Sequence, residues 1–433
     1  MSPPLIGFLG MIIMLALLFL GMPVGFGMAL VGFAGFAYLA NFETALGLLR
    51  TVPYTGVASY GLSVVPLFVL MGAFCYTAGL SKDLYDTANK WLGHFRGGLS
   101  MATVGACAGF AAVSGSSVAT AMTMGTVALP EMKRYKYDSA LATGSVAAGG
   151  TIGILIPPSV ALVMYGIITE VSIGRLFLAG FIPGIMEAVF YIVTIYIVCK
   201  IHPDYGPSGP KTSIIEKLVS LKNTWAVIVL FLLVIGGIYF GIFSPTEAAG
   251  VGAFGAFIFA LARRKLGWGE FKQSLIDTVK TTATIFTILI GALILTYFLA
   301  VSRLPSELAT FISGLEVNKY IIIVGIIVFY VFLGCFFDAV AMILLTIPIF
   351  FPMMTAMDFD PIWFGIIIVR VIEMGLITPP IGMNVFIIKG VAGDVPMKTI
   401  FKGIIPFLIA DICHVALLVA FPSLALFLPG LMK

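Results

Sequence analysis

The chain has little charge and few of the residues on which most enzyme chemistry depends. Charged residues make up 10% of its 433 residues, and only 3 residues are histidines. The sequence contains no nucleotide-binding P-loop, no HExxH zinc motif and no Gly-x-Ser-x-Gly nucleophile motif. These absences argue against an enzyme.

Cysteine is also scarce. The 5 cysteines are scattered through apolar segments with no CxxC spacing, which predicts small core residues and no redox or metal role.

Apolar residues dominate the composition. They account for 60% of the chain, and the mean hydropathy is +1.12, too high for a soluble domain with one core. This predicts a protein that crosses the lipid bilayer many times. Residues 1–20 contain no Lys or Arg and are predicted to form a first span and not a signal peptide. The net charge of +4 comes from cations in short loops, as membrane topology requires, so it does not indicate nucleic-acid binding.

Two apolar segments are broken by paired prolines. They are GGTIGILIPPS at residues 149–159 and GLITPPIGMN at residues 375–384. Proline has no amide hydrogen, so carbonyls one turn earlier lose their helical partners. At membrane depth such groups are tolerated only in a protein-lined or wet cavity, or where a cation or substrate satisfies them. Two breaks in corresponding halves point to a transporter binding site.

Apolar runs of about 17 to 25 residues predict the membrane spans of the first half. These are residues 5–20, 24–40, 62–78, the broken segment 139–168, and 176–198. Residues 41–60 form a more polar arm. Residues 98–129 are rich in Gly, Ala, Ser and Thr and break at residues 114–117, with Lys and Arg on both flanks. Positive flanks on both sides predict a re-entrant hairpin that enters from the cytoplasm.

The second half repeats this pattern at a constant difference in residue number. We call this constant difference the offset of the repeat. At this offset, Pro245 matches Pro23, Pro352 matches Pro130, Asp360 matches Asp138, Gly375 matches Gly153, and Pro379–Pro380 match Pro157–Pro158. Gly403 and Pro406 match Gly180 and Pro183 at a slightly larger offset, which a single inserted residue explains. The sequence therefore predicts an internal duplication.

Loop charges and an odd number of crossings predict that the second copy is inverted. Its hairpin, residues 320–354 around 334–338, then enters from the periplasm. Residues 266–281 are predicted to be its interfacial arm helix.

The predicted fold is an all-α polytopic membrane protein with an inverted-topology repeat. It has ten spans, two re-entrant hairpins and two interfacial arm helices. The first repeat covers residues 1–199, with scaffold spans at 5–60 and a transport part at 61–199. A cytoplasmic linker follows at 200–222. The second repeat covers 223–433, with scaffold spans at 223–282 and a transport part at 283–433. Both termini are predicted to be periplasmic.

Small polar residues at the hairpin tips are candidate ion ligands. Ser114, Ser116 and Ser117 lie at the first tip, beside the break at 149–159. Sodium prefers several hard oxygen ligands, which hydroxyls and free carbonyls of an unwound helix supply. The alternative is that small residues merely allow close helix packing. By the same logic Thr378, Pro379, Pro380, Gly382 and Asn384 face the second tip.

Several ionisable residues lie within apolar segments. Asp338 is the one carboxylate inside a hairpin, and intramembrane acids are functional candidates by default, although a paired structural acid is the alternative. Arg370 and Glu373 lie three residues apart on one helix and are expected to neutralise each other. Arg303 either snorkels at the periplasmic surface or contacts an anionic substrate. The last span of the first half contains Glu187, and the last span of the second half contains Asp411 and His414. These residues are expected to hold helices together or touch a partner.

Five motifs together resemble one family. SGSSVATAMTMG, GGTIGILIPPS, SPTEAAG, GCFFDAVAMILLTIPIFFP and ITPPIGMN, in this order, look like those of the large membrane subunit of tripartite ATP-independent periplasmic (TRAP) transporters. The resemblance covers essentially the whole chain. It implies a sodium-coupled secondary importer of organic acids in the bacterial inner membrane that works by an elevator mechanism. It also implies two partners, a small four-helix membrane subunit and a periplasmic substrate-binding protein.

The resemblance also implies a ligand set. By this resemblance, the residues expected to contact the substrate are Ser116, Ser159, Asp338 and Arg303. By the same resemblance, two sodium sites are expected where each hairpin tip faces a break. The expected ligands are Ser114, Ser117, Gly149, Gly150 and Pro157 in the first half, and Gly334, Thr378, Pro379, Gly382 and Asn384 in the second. The chain begins almost directly at its first span, so the small subunit is expected to be a separate polypeptide.

Two other functions fit the same physical features. A stand-alone sodium/dicarboxylate symporter of similar inverted-repeat architecture explains the hairpins without a binding protein. A channel also uses re-entrant loops, but it needs a continuous pore that usually comes from symmetric subunits.

Overall fold

A computed structural model describes residues 1–314 and 317–432. Over these residues the secondary structure is helical and contains no strand. This confirms the predicted all-α class. Helices satisfy their own backbone hydrogen bonds, which is what a bilayer demands of a spanning segment.

The first half forms ten α-helices. They are α1 (Pro3–Phe19), α2 (Val24–Leu39), α3 (Phe42–Val57), α4 (Val64–Thr77), α5 (Leu80–Leu92), α6 (Gly98–Ser114), α7 (Ser117–Arg134), α8 (Ser139–Leu155), α9 (Val160–Thr169) and α10 (Ile173–Ile201).

The second half forms eleven α-helices over the residues that the structure describes. They are α11 (Ile214–Phe231), which continues through a π-helical turn at Leu232–Gly236 into α12 (Gly237–Tyr239), then α13 (Pro245–Ala262), α14 (Trp268–Ser302), α15 (Leu304–Ser313), α16 (Lys319–Gly334), α17 (Ala339–Ala356), α18 (Pro361–Ile377), α19 (Met383–Ala392), α20 (Met397–Ala420) and α21 (Ser423–Leu431).

Eight helical segments of the described chain are long and apolar enough to cross a membrane. The predicted count of ten spans stays a prediction. Both hairpins break where the sequence places their tips, between α6 and α7 and between α16 and α17. Both proline segments break as well, between α8 and α9 and between α18 and α19.

The repeat is visible in the helix boundaries. The first and last residues of α7 and α8 match those of α17 and α18 at the same offset that relates Asp138 to Asp360. The matched aspartates have the same local role. Asp138 Oδ1 accepts hydrogen bonds from the amides of the second and third residues after it at 2.9 and 3.0 Å, and Asp360 Oδ1 does the same at 2.8 and 2.9 Å. Both carboxylates therefore cap the helix that leads into a break.

One predicted boundary is wrong. The second arm is not a separate helix, because residues 266–281 fall largely within α14, which runs unbroken for 35 residues. Residues 270–290 contain no Gly or Pro to end it, whereas Gly61 and a short 3₁₀ turn separate α3 from α4. The cytoplasmic linker predicted at 200–222 stays a prediction, and α11 begins within it at Ile214. Ser213 starts that helix with a capping box to Glu216.

Helices α2 and α14 cross closely through glycine. A Cβ atom on Gly25 would lie 2.6 Å from the Thr287 carbonyl oxygen, and one on Gly32 would lie 2.7 Å from the Leu295 nitrogen. Small residues allow this backbone contact. Such close packing matters in a bilayer because the hydrophobic effect does not drive helices together in lipid. Helix α4 packs against α13, α14 and α6, which belong to both predicted parts. The division into scaffold and transport parts therefore stays a prediction.

Candidate functional site

The first hairpin tip lies against the first helix break. Gly115 ends α6 in the left-handed conformation with φ +62°. A Cβ atom there would lie 2.6 Å from the carbonyl oxygen of Pro158. Glycine is therefore required twice, for the backbone angle and for the close approach. The sequence predicts that these two segments lie side by side, and the structure confirms this contact.

Hydroxyl groups at this junction cap the helices that begin there. Ser116 Oγ accepts a hydrogen bond from the Ala119 amide at 3.3 Å, and Ser159 Oγ accepts one from the Leu162 amide at 3.2 Å. Each side chain therefore satisfies an amide that the start of a helix leaves without a partner. A hydroxyl that accepts in this way still has its own proton to donate. This capping role was not predicted from the sequence.

A second set of hydroxyls fixes the tip. The oxygens of Ser114 and Thr120 lie 2.8 Å apart, and Thr120 Oγ1 also donates to the Ser116 carbonyl at 2.8 Å. A Cβ on Gly153 would lie 2.7 Å from the same Ser116 carbonyl oxygen. Thr120 was not among the predicted residues. Its position four residues after Ser116 is the signal that could have identified it.

The predicted glycine ligands of the first site pack the hairpin onto α8. A Cβ on Gly149 would lie 2.9 Å from Cys107 Sγ in α6, and one on Gly150 would lie 2.6 Å from Ala121 Cβ in α7. This packing is the alternative that the sequence analysis left open. Pro157 is buried in the break, where it and Pro158 offer no amide hydrogen to the carbonyls of Gly153 and Ile154. Ligation by these residues stays a prediction.

The second hairpin tip contacts the second break through its backbone. The Gly382 amide donates to the Cys335 carbonyl at 3.2 Å, and Cys335 Sγ lies 3.3 Å from the Pro379 carbonyl oxygen. Gly334 and Gly375 meet backbone to backbone. Thr378 Oγ1 donates to the Met374 carbonyl at 2.6 Å. Gly334, Thr378, Pro379 and Gly382 are thus gathered at one junction, as the sequence predicts.

Asp338 lies at the start of α17 and is half-buried. Its Oδ1 atom accepts hydrogen bonds from the amides of Val340 and Ala341 at 3.0 and 3.1 Å. The carboxylate therefore caps a helix at the hairpin tip, where the positive end of the helix dipole stabilises its charge. Its predicted contact with substrate stays a prediction.

One side chain joins the two halves of the chain. Asn384, at the start of α19, donates from Nδ2 to Ser117 Oγ at the first hairpin tip over 2.7 Å. Both residues are buried, and no hydrogen bond from a described residue reaches Asn384 Oδ1. A buried amide oxygen without a partner is costly unless something satisfies it. It is a suitable ligand for a hard cation such as sodium.

The two breaks differ in exposure. Residues 156–159 in the first break are buried, whereas residues 379–381 in the second break are exposed. In this structure the second break is therefore the accessible one. Arg303 is not gathered into either junction. It is exposed at the end of α14, and no hydrogen bond or ion pair in the described part of the chain joins its side chain to the hairpins.

A buried ionic cluster lies behind the breaks. Arg370 on α18 pairs with Asp411 on α20 through Nη2, and its Nη1 atom lies 3.5 Å from Glu187 Oε1 on α10. Glu373 is its more distant neighbour, at 3.9 Å. The expectation that Arg370 and Glu373 simply neutralise each other is therefore incomplete. The expectation that Glu187, Asp411 and His414 hold helices together agrees with these contacts.

Comparison with known proteins identifies the family. A family model described as the DctM component of tripartite ATP-independent periplasmic transporters matches residues 11–424. The C4-dicarboxylate TRAP transporter large permease protein DctM of Pseudomonas aeruginosa is 37% identical, with 86% of each chain covered. The sialic acid TRAP transporter large permease protein SiaM of Vibrio cholerae is 35% identical, with 96% of this chain and 97% of the relative covered. This chain belongs to the DctM family.

The fold of this DctM-family chain also matches a solved transporter. The YdaH transporter of Alcanivorax borkumensis superimposes with a TM-score of 0.64 at 14% identity, over 88% of this chain and 89% of the other. At this identity the match supports the fold alone.

Family membership confirms several predictions. The DctM-family chain is a large permease subunit of a TRAP transporter and not an enzyme. It is a multi-pass protein, and its family implies the inner membrane and partnership with a small permease subunit and a periplasmic binding protein.

Proposed function

We propose that this TRAP large permease is a sodium-coupled secondary importer of small organic acids that works by an elevator mechanism. Relatives are named for C4-dicarboxylate, sialic acid and isethionate transport, and each of these substrates carries an acid group. The pocket residues proposed for such a substrate are Ser116, Ser159 and Asp338, together with Arg303, whose side chain lies outside both junctions in this structure.

The contact between Asn384 and Ser117 is the observation that carries this proposal. It links the second broken helix to the first hairpin tip over 2.7 Å and leaves Asn384 Oδ1 buried without a hydrogen-bond donor among the described residues. A sodium ion supplies what this oxygen lacks. Sodium binding at both junctions would neutralise the exposed carbonyl dipoles of the breaks and order the tips around the substrate.

Coupling follows from the cost of unpaired dipoles in hydrocarbon. A half-filled site would carry exposed carbonyls or an uncompensated charge through the bilayer, whereas a loaded or an empty site would not. The transport part therefore crosses only when both ion and substrate are bound, or when neither is bound.

Movement of the transport part must change one aromatic contact. Phe19, at the end of α1 in the predicted scaffold, lies 5.0 Å from Phe336 and 6.3 Å from Phe337 between ring centroids. Both partners belong to the second hairpin tip. An elevator step slides these rings past one another, so this contact is one that the step must break.

The partners complete the transport system. The small membrane subunit is proposed to have four helices, and the binding protein is proposed to deliver substrate from the periplasm, the side on which both termini of this chain are proposed to lie.

Uptake into proteoliposomes tests the proposal. They contain this chain and its small subunit, an inward sodium gradient, and a panel of labelled organic acids, with and without the binding protein. Uptake that needs both sodium and the binding protein is the expected result. Uptake without the binding protein would support a stand-alone sodium/dicarboxylate symporter. Fast flux that does not saturate with substrate would support a channel.

A further inference from the structure

The ionic cluster of α8, α10, α18 and α20 is fully enclosed. Each of its members has a fractional exposure of 0%: Thr151, Glu187, Tyr191, Arg370, Glu373, Asp411 and His414. None of them belongs to the predicted sodium or substrate ligands. Intramembrane ionisable groups are expensive and are functional candidates by default.

The cluster contains a single cation. Arg370 Nε donates to His414 Nδ1 at 2.9 Å, so that nitrogen is an acceptor and carries no proton. His414 is therefore neutral. Three carboxyl groups, those of Glu187, Glu373 and Asp411, face the one guanidinium. If all three were ionised, the enclosed cluster would carry two uncompensated negative charges.

The hydrogen bonds identify which carboxyl group is least suited to a negative charge. Asp411 Oδ1 receives Arg370 Nη2 and, at 2.7 Å, the Tyr191 hydroxyl. Glu187 Oε1 lies 2.9 Å from the Thr151 hydroxyl oxygen, whose single proton it shares with the Ala148 carbonyl at 2.6 Å. Within the described chain neither oxygen of Glu373 has a hydrogen-bond partner of normal geometry; the Ile154 backbone of α8 approaches the carboxyl group without reaching that geometry. Its nearest cationic atom, Arg370 Nη1, is 3.9 Å away and closer to Glu187.

We propose that Glu373 is a proton-binding site, with its carboxyl group neutral while Glu187 and Asp411 remain ionised. A proton on Glu373 removes the negative charge that lacks a hydrogen bond. The cluster then carries one uncompensated negative charge, which is shared by the carboxylates of Glu187 and Asp411, and these have hydroxyl and guanidinium groups beside them.

The internal repeat supports this assignment independently. Glu373 follows Thr151 at the offset that relates Gly375 to Gly153, so the two side chains occupy equivalent positions in the two halves. Thr151 supplies a neutral O–H group at its position, and a protonated Glu373 also supplies one. His414 follows Tyr191 at the slightly larger offset of the last spans, and both of these side chains are neutral too.

Infrared spectroscopy of the full chain in lipid nanodiscs tests the site. In alkaline buffer the exposed carboxyl groups are ionised, so a remaining carbonyl band of protonated carboxylic acid reports buried groups. We expect this band in the wild-type chain, with and without sodium. It should shift on ¹³C-glutamate labelling and lose one carboxyl equivalent in Glu373→Gln. Glu216→Gln is the matched control, because Glu216 is an exposed capping residue and should not contribute to the band.

Each other outcome overturns the assignment. An absent band means that no carboxyl group is protonated. A band that does not shift on glutamate labelling belongs to an aspartate. A band that survives in Glu373→Gln but disappears in Glu187→Gln places the proton on Glu187. A band that disappears when sodium is added identifies a metal cation as the ligand. The labelled wild-type chain distinguishes glutamate from aspartate even if Glu373→Gln does not fold.

Discussion

Gly334 and Gly375 are in direct backbone contact. A Cβ atom built on Gly375 would lie 2.6 Å from the Cα of Gly334, and one built on Gly334 would lie 2.8 Å from the Cα of Gly375. The first residue ends α16 in the second hairpin, and the second lies two residues before the end of α18. This pair therefore sets how closely the hairpin tip approaches the helix break.

Replacing Gly375 by alanine should separate these two elements. The added methyl group has no space, and overpacking of this kind costs about 1–3 kcal/mol. We expect a lower midpoint of thermal unfolding and a fall in sodium-dependent uptake of roughly tenfold or more, because a misplacement of about 1 Å at a site is sufficient.

Gly325→Ala is the matched control for this experiment. Gly325 lies on α16 as well, but a Cβ atom there meets nothing within 4 Å. It should leave both uptake and thermal stability unchanged. Normal uptake by Gly375→Ala would show that the close approach is not needed for transport.

Replacing Asn384 by alanine should weaken sodium binding. The change removes the Oδ1 atom and the hydrogen bond to Ser117. Loss of one buried polar partner is worth about 1–3 kcal/mol, so the sodium concentration for half-maximal uptake should rise roughly tenfold. The sodium dependence of uptake in proteoliposomes measures this. Asn223→Ala is the control, because Asn223 is exposed. An unchanged sodium dependence would exclude Asn384 as a ligand.

Replacing Asp338 by asparagine separates capping from charge. Asparagine keeps an Oδ1 acceptor for the amides of Val340 and Ala341, so the helix cap and thermal stability should persist. Uptake should fall if the negative charge takes part in binding. Asp360→Asn is the matched control, since Asp360 caps α18 with the same geometry. Full uptake by Asp338→Asn would show that Asp338 acts only as a helix cap and that its charge is not needed for transport.

The helix breaks could be predicted because their cause is local. Paired prolines cannot donate hydrogen bonds, and α8 and α18 end within three residues of them. The repeat then transfers each boundary from one half to the other. The second arm was predicted wrongly because amphipathic character shows where a helix lies, not where it ends. The sequence between residues 270 and 290 has no Gly or Pro that would end α14.

Contacts between distant segments could not be predicted in this way. Asn384 and Ser117 are 267 residues apart, and their contact depends on how the two halves dock. For Arg370, the neighbour three residues away was visible in the sequence. Its closest partner, Asp411, lies 41 residues away on another helix. The spacing on one helix identifies possible partners, and packing between helices decides among them.

Replacing Arg370 by methionine should destabilise the chain severely. Methionine has a similar length but leaves the carboxylates of Glu187 and Asp411 buried without a cation, and removing one partner of a buried ion pair costs about 3–5 kcal/mol. We expect low expression and a large fall in the thermal midpoint. Adding Asp411→Asn should recover part of this loss, because it removes one uncompensated charge. Arg134→Met is the control: Arg134 is largely exposed, its pair with Glu131 spans 3.8 Å, and such pairs contribute at most about 1 kcal/mol. Equal effects of Arg370→Met alone and combined with Asp411→Asn would show that packing, not charge, makes Arg370 necessary.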